Sequence, residues 1–322
     1  MDIQFLLLLQ NFRNGIGSCL TAFLAKMTFF GELNTTIIFI ASIYWCLSKD
    51  LGTYLFLGFS GNRLVNGVLK VSACVYRPWI RDARIVPESS ALKTATGYSF
   101  PSGHSMNGTT FFGGLALRKE LSRVLRVIAL VVMLLVSFSR NFLGVHTPQD
   151  VLAGMTLGII VMWLTQKIID WAEKKSGRDI LVMGIGLLLS LALSLYAAFK
   201  SYPTDFDADG KLLVDGAKMA NDTFRGTGWC TAVFIGWVLE RRFVKFSTDG
   251  LSLGERATRL AAGLLSYYAL DLILFRLLKT VIGGAFGTFF SCFLELFYVI
   301  FLFPLLMCRN KGRDVEEKSS LN

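Results

Sequence analysis

The sequence predicts an all-α fold, a polytopic bundle of transmembrane helices with about nine spans. Hydrophobic residues make up 53% of the 322 residues and charged residues only 17%, so a soluble domain of this composition would expose too much apolar surface. Apolar stretches close to the ~20 residues that cross the hydrocarbon recur along the chain. Such stretches must be helical, because backbone amides in lipid need partners within their own segment. The chain is therefore predicted to be an integral membrane protein.

The predicted spans divide the chain into a core and an addition. Residues 1–28 are expected to form an interfacial amphipathic helix, since their apolar run is too short for a secretory signal and no basic residues precede it. The spans follow at residues 29–48, 51–75, 103–118, 124–141, 148–171, 179–199, 226–240, 257–278 and 286–308. Residues 29–199 form a predicted six-helix core, residues 200–225 an extracytoplasmic loop, and residues 226–308 three additional C-terminal helices.

Basic residues in the short loops predict the orientation of the bundle, because cationic loops stay in the cytoplasm. Clusters of lysine and arginine occur within residues 118–126, 174–178, 241–245 and 309–313. These loops and the tail at residues 309–322 are therefore expected on the cytoplasmic side of a plasma membrane of the bacterial type. The segments expected outside are residues 76–102, 142–147 and 200–225. Four arginines on the outer side break the rule, which suggests that they bind an anion: Arg77, Arg81, Arg84 and Arg140.

The composition argues against several other functions. The net charge of +10 could suggest nucleic acid, but the basic residues are scattered among membrane loops, without a stripe interleaved with aromatic residues. The six cysteines show no C-x-x-C spacing and no acidic cluster is present to hold magnesium, so neither a metal nor a cofactor is predicted. Residues 205–210 resemble the opening of a calcium loop, but Gly216 stands where a bidentate glutamate belongs. A solvated turn is therefore favoured over weak calcium binding.

Polar and charged residues also occur inside the predicted spans. Such groups are unfavourable in lipid, so they are expected to face the bundle and pair with one another. Structural pairing is preferred over a role in binding a substrate headgroup or in lining a lipid path. The residues concerned are Arg63, Asn66, Asp271, Arg276 and Glu295.

The first candidate site segment is Lys70, six intervening residues and Arg77-Pro78, at the outer end of the second predicted span. A spacing of seven residues is two helical turns, so Lys70 and Arg77 are expected on one face of that helix, with Pro78 ending it. Arginine can hold the oxygens of a phosphate monoester bidentately, and lysine adds a mobile point charge. Snorkelling of Lys70 and headgroup anchoring by Arg77 explain the same residues when the segment is taken alone.

The second segment, Pro101-Ser102-Gly103-His104, is typical of a helix start with Ser102 as the N-cap. The amides of Ser102, Gly103 and His104 are expected to point at an anion, because the amino end of a helix carries free N–H groups and a positive dipole. Gly103 lets the backbone approach that anion closely. An ordinary cap explains the same residues and is compatible with catalysis.

The third segment is Ser139-Arg140, followed by His146 and Asp150. Thr147, Pro148 and Asp150 suit the N-cap, the first and the third positions of a helix, so Asp150 has a capping role available. Capping does not explain a histidine in the preceding turn with Arg140 close by. His104 and His146 are the only two histidines in the chain, which indicates use as a proton donor and as a nucleophile or base.

In this order and at these spacings, the three segments resemble the signature of the type 2 phosphatidic acid phosphatase superfamily, also called lipid phosphate phosphatases, over roughly residues 50–171. The resemblance implies a phosphatase core and hydrolysis of a lipid phosphate through a phosphohistidine, without a metal. It implies that His146 is the nucleophile, that His104 is the general acid and base, and that Asp150 accepts the Nδ1 proton of His146. The implied phosphate-binding residues are Lys70, Arg77, Ser102, Gly103 and Arg140.

The sequence leaves the substrate and the reaction class open. The resemblance permits phosphatidic acid, phosphatidylglycerophosphate, undecaprenyl diphosphate or a sphingoid-base phosphate as the substrate. A phosphotransferase that passes the same phosphoryl group to a lipid or sugar is the first alternative. A transporter or lipid-binding protein without catalysis is the second, and the three additional helices favour it.

Overall fold

The computed structural model describes residues 2–308, and most of them are helical. Within that range no β-strand forms, and Phe206 and Leu212 make an isolated bridge. The amino-terminal helices are α1 (Asp2–Gly15), α2 (Ser18–Met27), α3 (Leu33–Cys46), α4 (Lys49–Ala73), α5 (Pro78–Arg81), α6 (Ser89–Leu92), α7 (Gly103–Gly108) and α8 (Gly114–Leu117). The remaining ones are α9 (Arg123–Phe142), α10 (Pro148–Glu173), α11 (Arg178–Phe199), α12 (Gly216–Leu239), α13 (Leu253–Leu270), α14 (Arg276–Ile282) and α15 (Gly284–Phe297).

Five helices of the described chain are long and apolar enough to cross a membrane. They are Arg123–Phe142, Pro148–Glu173, Arg178–Phe199, Leu253–Ile282 and Gly284–Cys308. A sixth is added if Ser18–Gly31 and Leu33–Cys46, which meet at a bend of 59°, are treated as one broken span. The prediction of an all-helical integral membrane protein is therefore confirmed, whereas the count of about nine spans stays a prediction.

Two other long helices carry more polar residues. Helix α4 has 25 residues and α12 has 24, which is enough length to span the hydrocarbon, but neither has the apolar composition of those five. Both nevertheless lie in the interior. Trp229, Cys230 and Val233 of α12 are buried, and a Cβ added to Gly228 would lie 2.4 Å from the carbonyl oxygen of Phe289. The absence of a side chain at Gly228 therefore lets α12 pack closely against α15.

Two predicted boundaries differ from the structure. Residues 2–27 form two helices, α1 and α2, which are separated at Gly17 with a φ of 86°, where a single helix was expected over residues 1–28. Helix α12 begins at Gly216, ten residues before the predicted start of its span, so it occupies the end of the predicted loop at residues 200–225. The first turns of α12 are too polar for a hydropathy pattern to detect, with Lys218, Asp222 and Arg225 within them.

Ion pairs link the predicted cytoplasmic loops at one end of the bundle. Lys49 Nζ lies 2.7 Å from Glu240 Oε1, and Arg242 Nη2 lies 2.7 Å from Asp179 Oδ1. The end of α10 and the start of α11 therefore lie beside the end of α12, at the end of α4 opposite to Lys70. The predicted cytoplasmic tail at residues 309–322 lies outside the described residues.

The expected pairing of polar residues with one another holds for Asp271 and Arg276, although the Arg276 side chain is largely exposed. Asn66 and Glu295 have other partners. Arg276 Nη2 lies 3.2 Å from Asp271 Oδ2, and Glu295 Oε2 accepts a hydrogen bond of 2.9 Å from Trp229 Nε1. Asn66 Nδ2 donates to the carbonyl of Pro101 at 3.4 Å. Arg63 differs, because its Nε is buried without a hydrogen-bond partner among the described residues.

Candidate active site

A cavity of about 470 Å³ lies at the carboxyl end of α4 and brings the three sequence segments together. Five of the eight predicted site residues line it: Lys70, Arg77, Gly103, His104 and His146. The other three, Ser102, Arg140 and Asp150, are buried within the same group of elements. The wall includes residues 31–34 at the start of α3, α4, the loop that leads to α7, the start of α7, the loop between α9 and α10, Leu193 of α11, and the first half of α12.

The start of α10 fixes His146 and Asp150. Thr147 is the N-cap, its side chain accepts from the amide of Asp150, and Asp150 Oδ2 accepts from the Thr147 amide at 2.8 Å, so the predicted capping role is confirmed. Proline at the first helical position fits this start. Upstream, Asn141 Nδ2 donates to the carbonyl of His146 at 2.9 Å. The backbone on both sides of the imidazole is therefore held in place.

The imidazole of His146 is oriented by an acid and a hydroxyl together. Its Nδ1 lies 3.4 Å from Asp150 Oδ2 and 3.3 Å from Ser99 Oγ. Ser99 Oγ in turn donates to Asp150 Oδ2 at 2.6 Å. Asp150 therefore reaches the imidazole partly through Ser99, a residue that the sequence analysis did not identify. Its only sequence signal is a hydroxyl three residues before Ser102.

The helical-face prediction for Lys70 and Arg77 is wrong. Helix α4 ends at Ala73, and Cys74 follows with a φ of 47°, in the left-handed region that turns the chain away from the helix axis. Arg77 is instead the N-cap residue of α5, and Pro78 begins that short helix where it was expected to end the longer one. Both side chains nevertheless line the same cavity.

Lys70 and Arg77 both donate hydrogen bonds to the loop at residues 96–101. Arg77 donates through Nη2 to the carbonyl of Thr96 and through Nε to that of Gly97, each at 2.9 Å. Its Nη1 donates to the carbonyl of Val145 at 3.0 Å. Lys70 Nζ donates to the carbonyls of Tyr98 and Pro101 at 3.0 and 3.1 Å. These two cations therefore have a structural role in addition to the charge that they bring to the cavity.

Arg77 also determines the tautomer of His146 and lowers its pKa. Arg77 Nη1 lies 2.8 Å from His146 Nε2, and since a guanidinium can only donate, Nε2 accepts and the ring proton belongs on Nδ1. Burial and the neighbouring positive charge of Arg77 lower the pKa of His146 well below its ordinary value. The imidazole is therefore neutral near pH 7, and its Nε2 lone pair is directed at the Arg77 guanidinium.

The start of α7 is hydrogen-bonded to the other two sequence segments. Ser102 is the N-cap as predicted, and its Oγ accepts from the amide and the hydroxyl of Ser105. Its own amide donates to the carbonyl of Asp150 at 3.0 Å, so it is not available to an anion, in contrast to the prediction. A Cβ added to Gly154 would lie 2.9 Å from the Ser102 carbonyl, which shows how closely α10 approaches this turn. The amides of Gly103 and His104 are the ones that remain.

Arg140 and His104 present buried nitrogens without protein partners. The three guanidinium nitrogens of Arg140 are buried and have no hydrogen-bond acceptor among the described residues, and the residue is 0% exposed. His104 Nε2 is likewise buried without a partner. An unpaired buried charge is strongly unfavourable, so a guanidinium in this position is suited to an anionic ligand.

Comparison with known proteins places these segments in a family. Residues 51–174 match the model of the PAP2 superfamily, which confirms the resemblance predicted from the motifs. The chain is 37% identical over 123 residues to phosphatidylglycerophosphatase B of Bacillus subtilis (strain 168), which covers 36% of this chain and 56% of the relative. It is 37% identical over 73 residues to undecaprenyl-diphosphatase of Sulfolobus acidocaldarius, covering 23% of this chain and 34% of that protein.

A third relative is more distant and longer in alignment. Lipid phosphate phosphatase delta of Arabidopsis thaliana is 22% identical over 205 residues, or 59% of this chain and 48% of that protein. The chain thus spans about half the length of the curated relatives that it matches, or less. No solved structure is significantly similar to it. Residues 51–174, which carry all three segments of the site, are therefore similar to the PAP2 superfamily.

Proposed function

We propose that the chain is an integral membrane lipid phosphate phosphatase that hydrolyses a phosphomonoester or diphosphate through a phosphohistidine on His146. The observation that carries the proposal is the set of hydrogen-bond partners of the His146 imidazole. Its Nδ1 is held by Ser99 and Asp150. Its Nε2 accepts a hydrogen bond of 2.8 Å from Arg77 at the wall of a cationic cavity. A neutral imidazole whose proton is fixed on Nδ1 can attack phosphorus through Nε2. The names of the relatives support a lipid phosphate as the substrate class.

The reaction has two displacement steps. In the first, His146 Nε2 forms a bond to phosphorus while the bond to the lipid oxygen breaks, and His104 donates a proton to the departing oxygen. In the second, a water molecule gives its proton to His104 and attacks phosphorus, which releases inorganic phosphate and restores both histidines. Asp150 stabilises the positive charge that develops on His146 during the attack.

The cations stabilise the negative charge of the transferring phosphoryl group. We assign this role to Lys70, Arg77 and Arg140, together with the amides of Gly103 and His104. Each such donor contributes about 3 kcal/mol if it behaves as one oxyanion contact. Substrate phosphate must replace His146 Nε2 as the acceptor of the Arg77 Nη1 proton before attack. The scheme draws its positive charge from side chains and uses no metal ion.

The same proposal includes the membrane arrangement. Nine spans would comprise a six-helix phosphatase core within residues 29–199 and three helices within residues 226–308, with the cavity at the extracytoplasmic face of a plasma membrane and the carboxyl end in the cytoplasm. The basic ends of α9 to α12 support this orientation, because they lie away from the cavity and cationic loops stay inside. A lipid could then keep its hydrocarbon chain in the bilayer while its phosphate meets Arg77 and His146.

A substrate panel tests the function. The purified chain, in excess EDTA, should release inorganic phosphate from at least one lipid phosphate or diphosphate, with inhibition by vanadate. His146→Ala should lower the rate by about 10⁴-fold or more and His104→Ala by about 100- to 10,000-fold. Arg241→Gln, which removes a charge at the far end of α12, is the matched control. A strict requirement for a divalent ion, or activity retained in His146→Ala, would contradict the proposal.

A further inference from the structure

Part of the cavity is lined by residues outside the segment that matches the PAP2 model. Its wall includes the first turns of α12, which begins 42 residues after the matched segment ends at residue 174. We call the part that is lined by the first turns of α12 the extension. Lys218, Asn221, Asp222 and Arg225 of this helix line the same cavity as His104 and His146. The C-terminal helices therefore contribute directly to the space in which a substrate headgroup would lie.

Arg63 faces this extension from α4. It precedes Lys70 by seven residues on one continuous helix, so it lies on the same face, about 10 Å further along the axis from the catalytic end. It lines the cavity, and its Nε is buried without a hydrogen-bond partner. A Cβ added to Gly226 of α12 would lie 3.5 Å from Nε and Nη2, so the guanidinium packs across the backbone of α12.

The other cations of the extension are compensated within the protein. Lys218 Nζ lies 2.7 Å from Asp222 Oδ2, and Arg225 Nη2 lies 3.7 Å from Asp222 Oδ1. Arg63 forms no ion pair with an acidic residue among those described, and Asp222 is already shared by two cations. Asn221, which lines the same cavity as Arg63, has a buried Oδ1 that is also without a partner among the described residues. The extension therefore combines an uncompensated positive charge with an unused hydrogen-bond acceptor.

We infer that Arg63 and Asn221 form a second headgroup site, which binds a non-scissile phosphodiester of the substrate. The inference rests on the proposed function and narrows its substrate class to lipid phosphates that also contain a non-scissile phosphodiester. Arg63 lies on the side of the cavity away from the carboxyl end of α4, where Lys70 lies. A phosphodiester between the scissile phosphate and the hydrocarbon chain would reach it while the terminal phosphate occupies the site of His146. Asn221 would accept a hydrogen bond from a hydroxyl of the group that joins the two phosphates.

Two lipids with the same acyl chains test this inference. Phosphate release from dioleoyl phosphatidylglycerophosphate, which contains a non-scissile phosphodiester, is compared with release from dioleoyl phosphatidic acid, which does not. The wild-type chain should have the higher kcat/KM on the first lipid. Arg63→Gln should reduce that preference about 10- to 100-fold, mainly through KM, because a charged hydrogen bond to the phosphodiester is lost. Arg63→Lys should restore part of the preference, and Arg241→Gln is the control for loss of a charge elsewhere.

The outcomes separate this inference from the proposed function. Equal losses on both lipids in Arg63→Gln would assign Arg63 a structural role and overturn the inference. A wild-type preference for phosphatidic acid would also overturn it, although the lipid phosphatase proposal would stand. Release from neither lipid, with turnover of another lipid monophosphate or diphosphate that lacks a phosphodiester, would overturn the inference alone. If no lipid phosphate is hydrolysed, both fail.

Discussion

Two groups of cations, in the cavity wall and buried beside it, differ in their hydrogen bonds within the protein. Lys70 and Arg77 donate to five backbone carbonyls in total, four of them in the loop at residues 96–101, and we call them the loop-holding cations. Arg140 and Arg63 have buried nitrogens without an acceptor, and we call them the unpartnered cations. If the proposed function is correct, Arg77 contributes to the fold and to ligand binding, whereas Arg140 contributes to ligand binding alone.

The largest expected effect comes from exchanging one cation of each group. Arg77→Gln and Arg140→Gln should each lower kcat/KM by about 100- to 1,000-fold, because each removes a donor to the phosphoryl group. Their effects on stability should differ. Arg77→Gln leaves three carbonyls without their donor and should lower the free energy of unfolding by about 2 to 3 kcal/mol. Arg140→Gln removes an unpaired buried charge, so the free energy of unfolding should stay the same or rise.

Thermal unfolding in detergent measures this difference. Arg77→Gln should unfold at a lower Tm than the wild type, and Arg140→Gln should not. Arg84→Gln is a matched control, since Arg84 is exposed and pairs with Asp82 at the surface. A similar decrease of Tm in both cavity variants would remove the distinction between the two groups.

A smaller effect is expected at the hydroxyl that connects Asp150 to His146. Ser99→Ala should lower kcat about tenfold and leave KM nearly unchanged, because Ser99 acts as a positioning residue through His146. Ser99→Thr keeps the hydroxyl and should recover most of the rate. If KM rises instead of kcat falling, Ser99 contacts the substrate and the arrangement around His146 needs revision.

The smallest expected change is a shift in titration. In a His104→Gln variant, the signal of His146 is the only histidine resonance, and ¹⁵N-labelled imidazole should remain neutral with the proton on Nδ1 at pH 6.5. Burial and Arg77 lower the pKa of His146, so Arg77→Gln should move it back towards its ordinary value. The unfolded chain then binds a proton below about pH 6.5 that the folded chain does not, so the His146 contribution lowers stability as the pH falls. A pKa at or above 6.5 would contradict this environment.

Local sequence patterns predicted the parts of the site that depend on helix starts. Ser102 caps α7, and Thr147, Pro148 and Asp150 begin α10, because capping depends on a few neighbouring residues. The same reasoning failed where the chain leaves a helix. Cys74 adopts a left-handed conformation that cysteine does not favour, so the sequence did not predict it. This conformation places Arg77 on a different element from Lys70.

Contacts between distant segments could not be predicted from local patterns. Ser99 reaches Asp150 across 51 positions, and nothing in its own neighbourhood marks it as part of the site. The first turns of α12 look like a polar loop by hydropathy, because their charges face a cavity and not lipid. Arg63 was expected to pair within the bundle, and only the structure shows that the nearest acid, Asp222, is already engaged.

Trapping of the phosphoryl-enzyme tests the central claim most directly. The purified chain is mixed briefly with a ³²P-labelled lipid phosphate that it hydrolyses, quenched in alkali, and the labelled peptide is identified by mass spectrometry. The account predicts an acid-labile phosphoryl group on His146, absent from His146→Ala and increased in a His104→Ala variant that forms the intermediate faster than it hydrolyses it. Phosphate release without a labelled protein, or a label that persists in His146→Ala, would contradict the account.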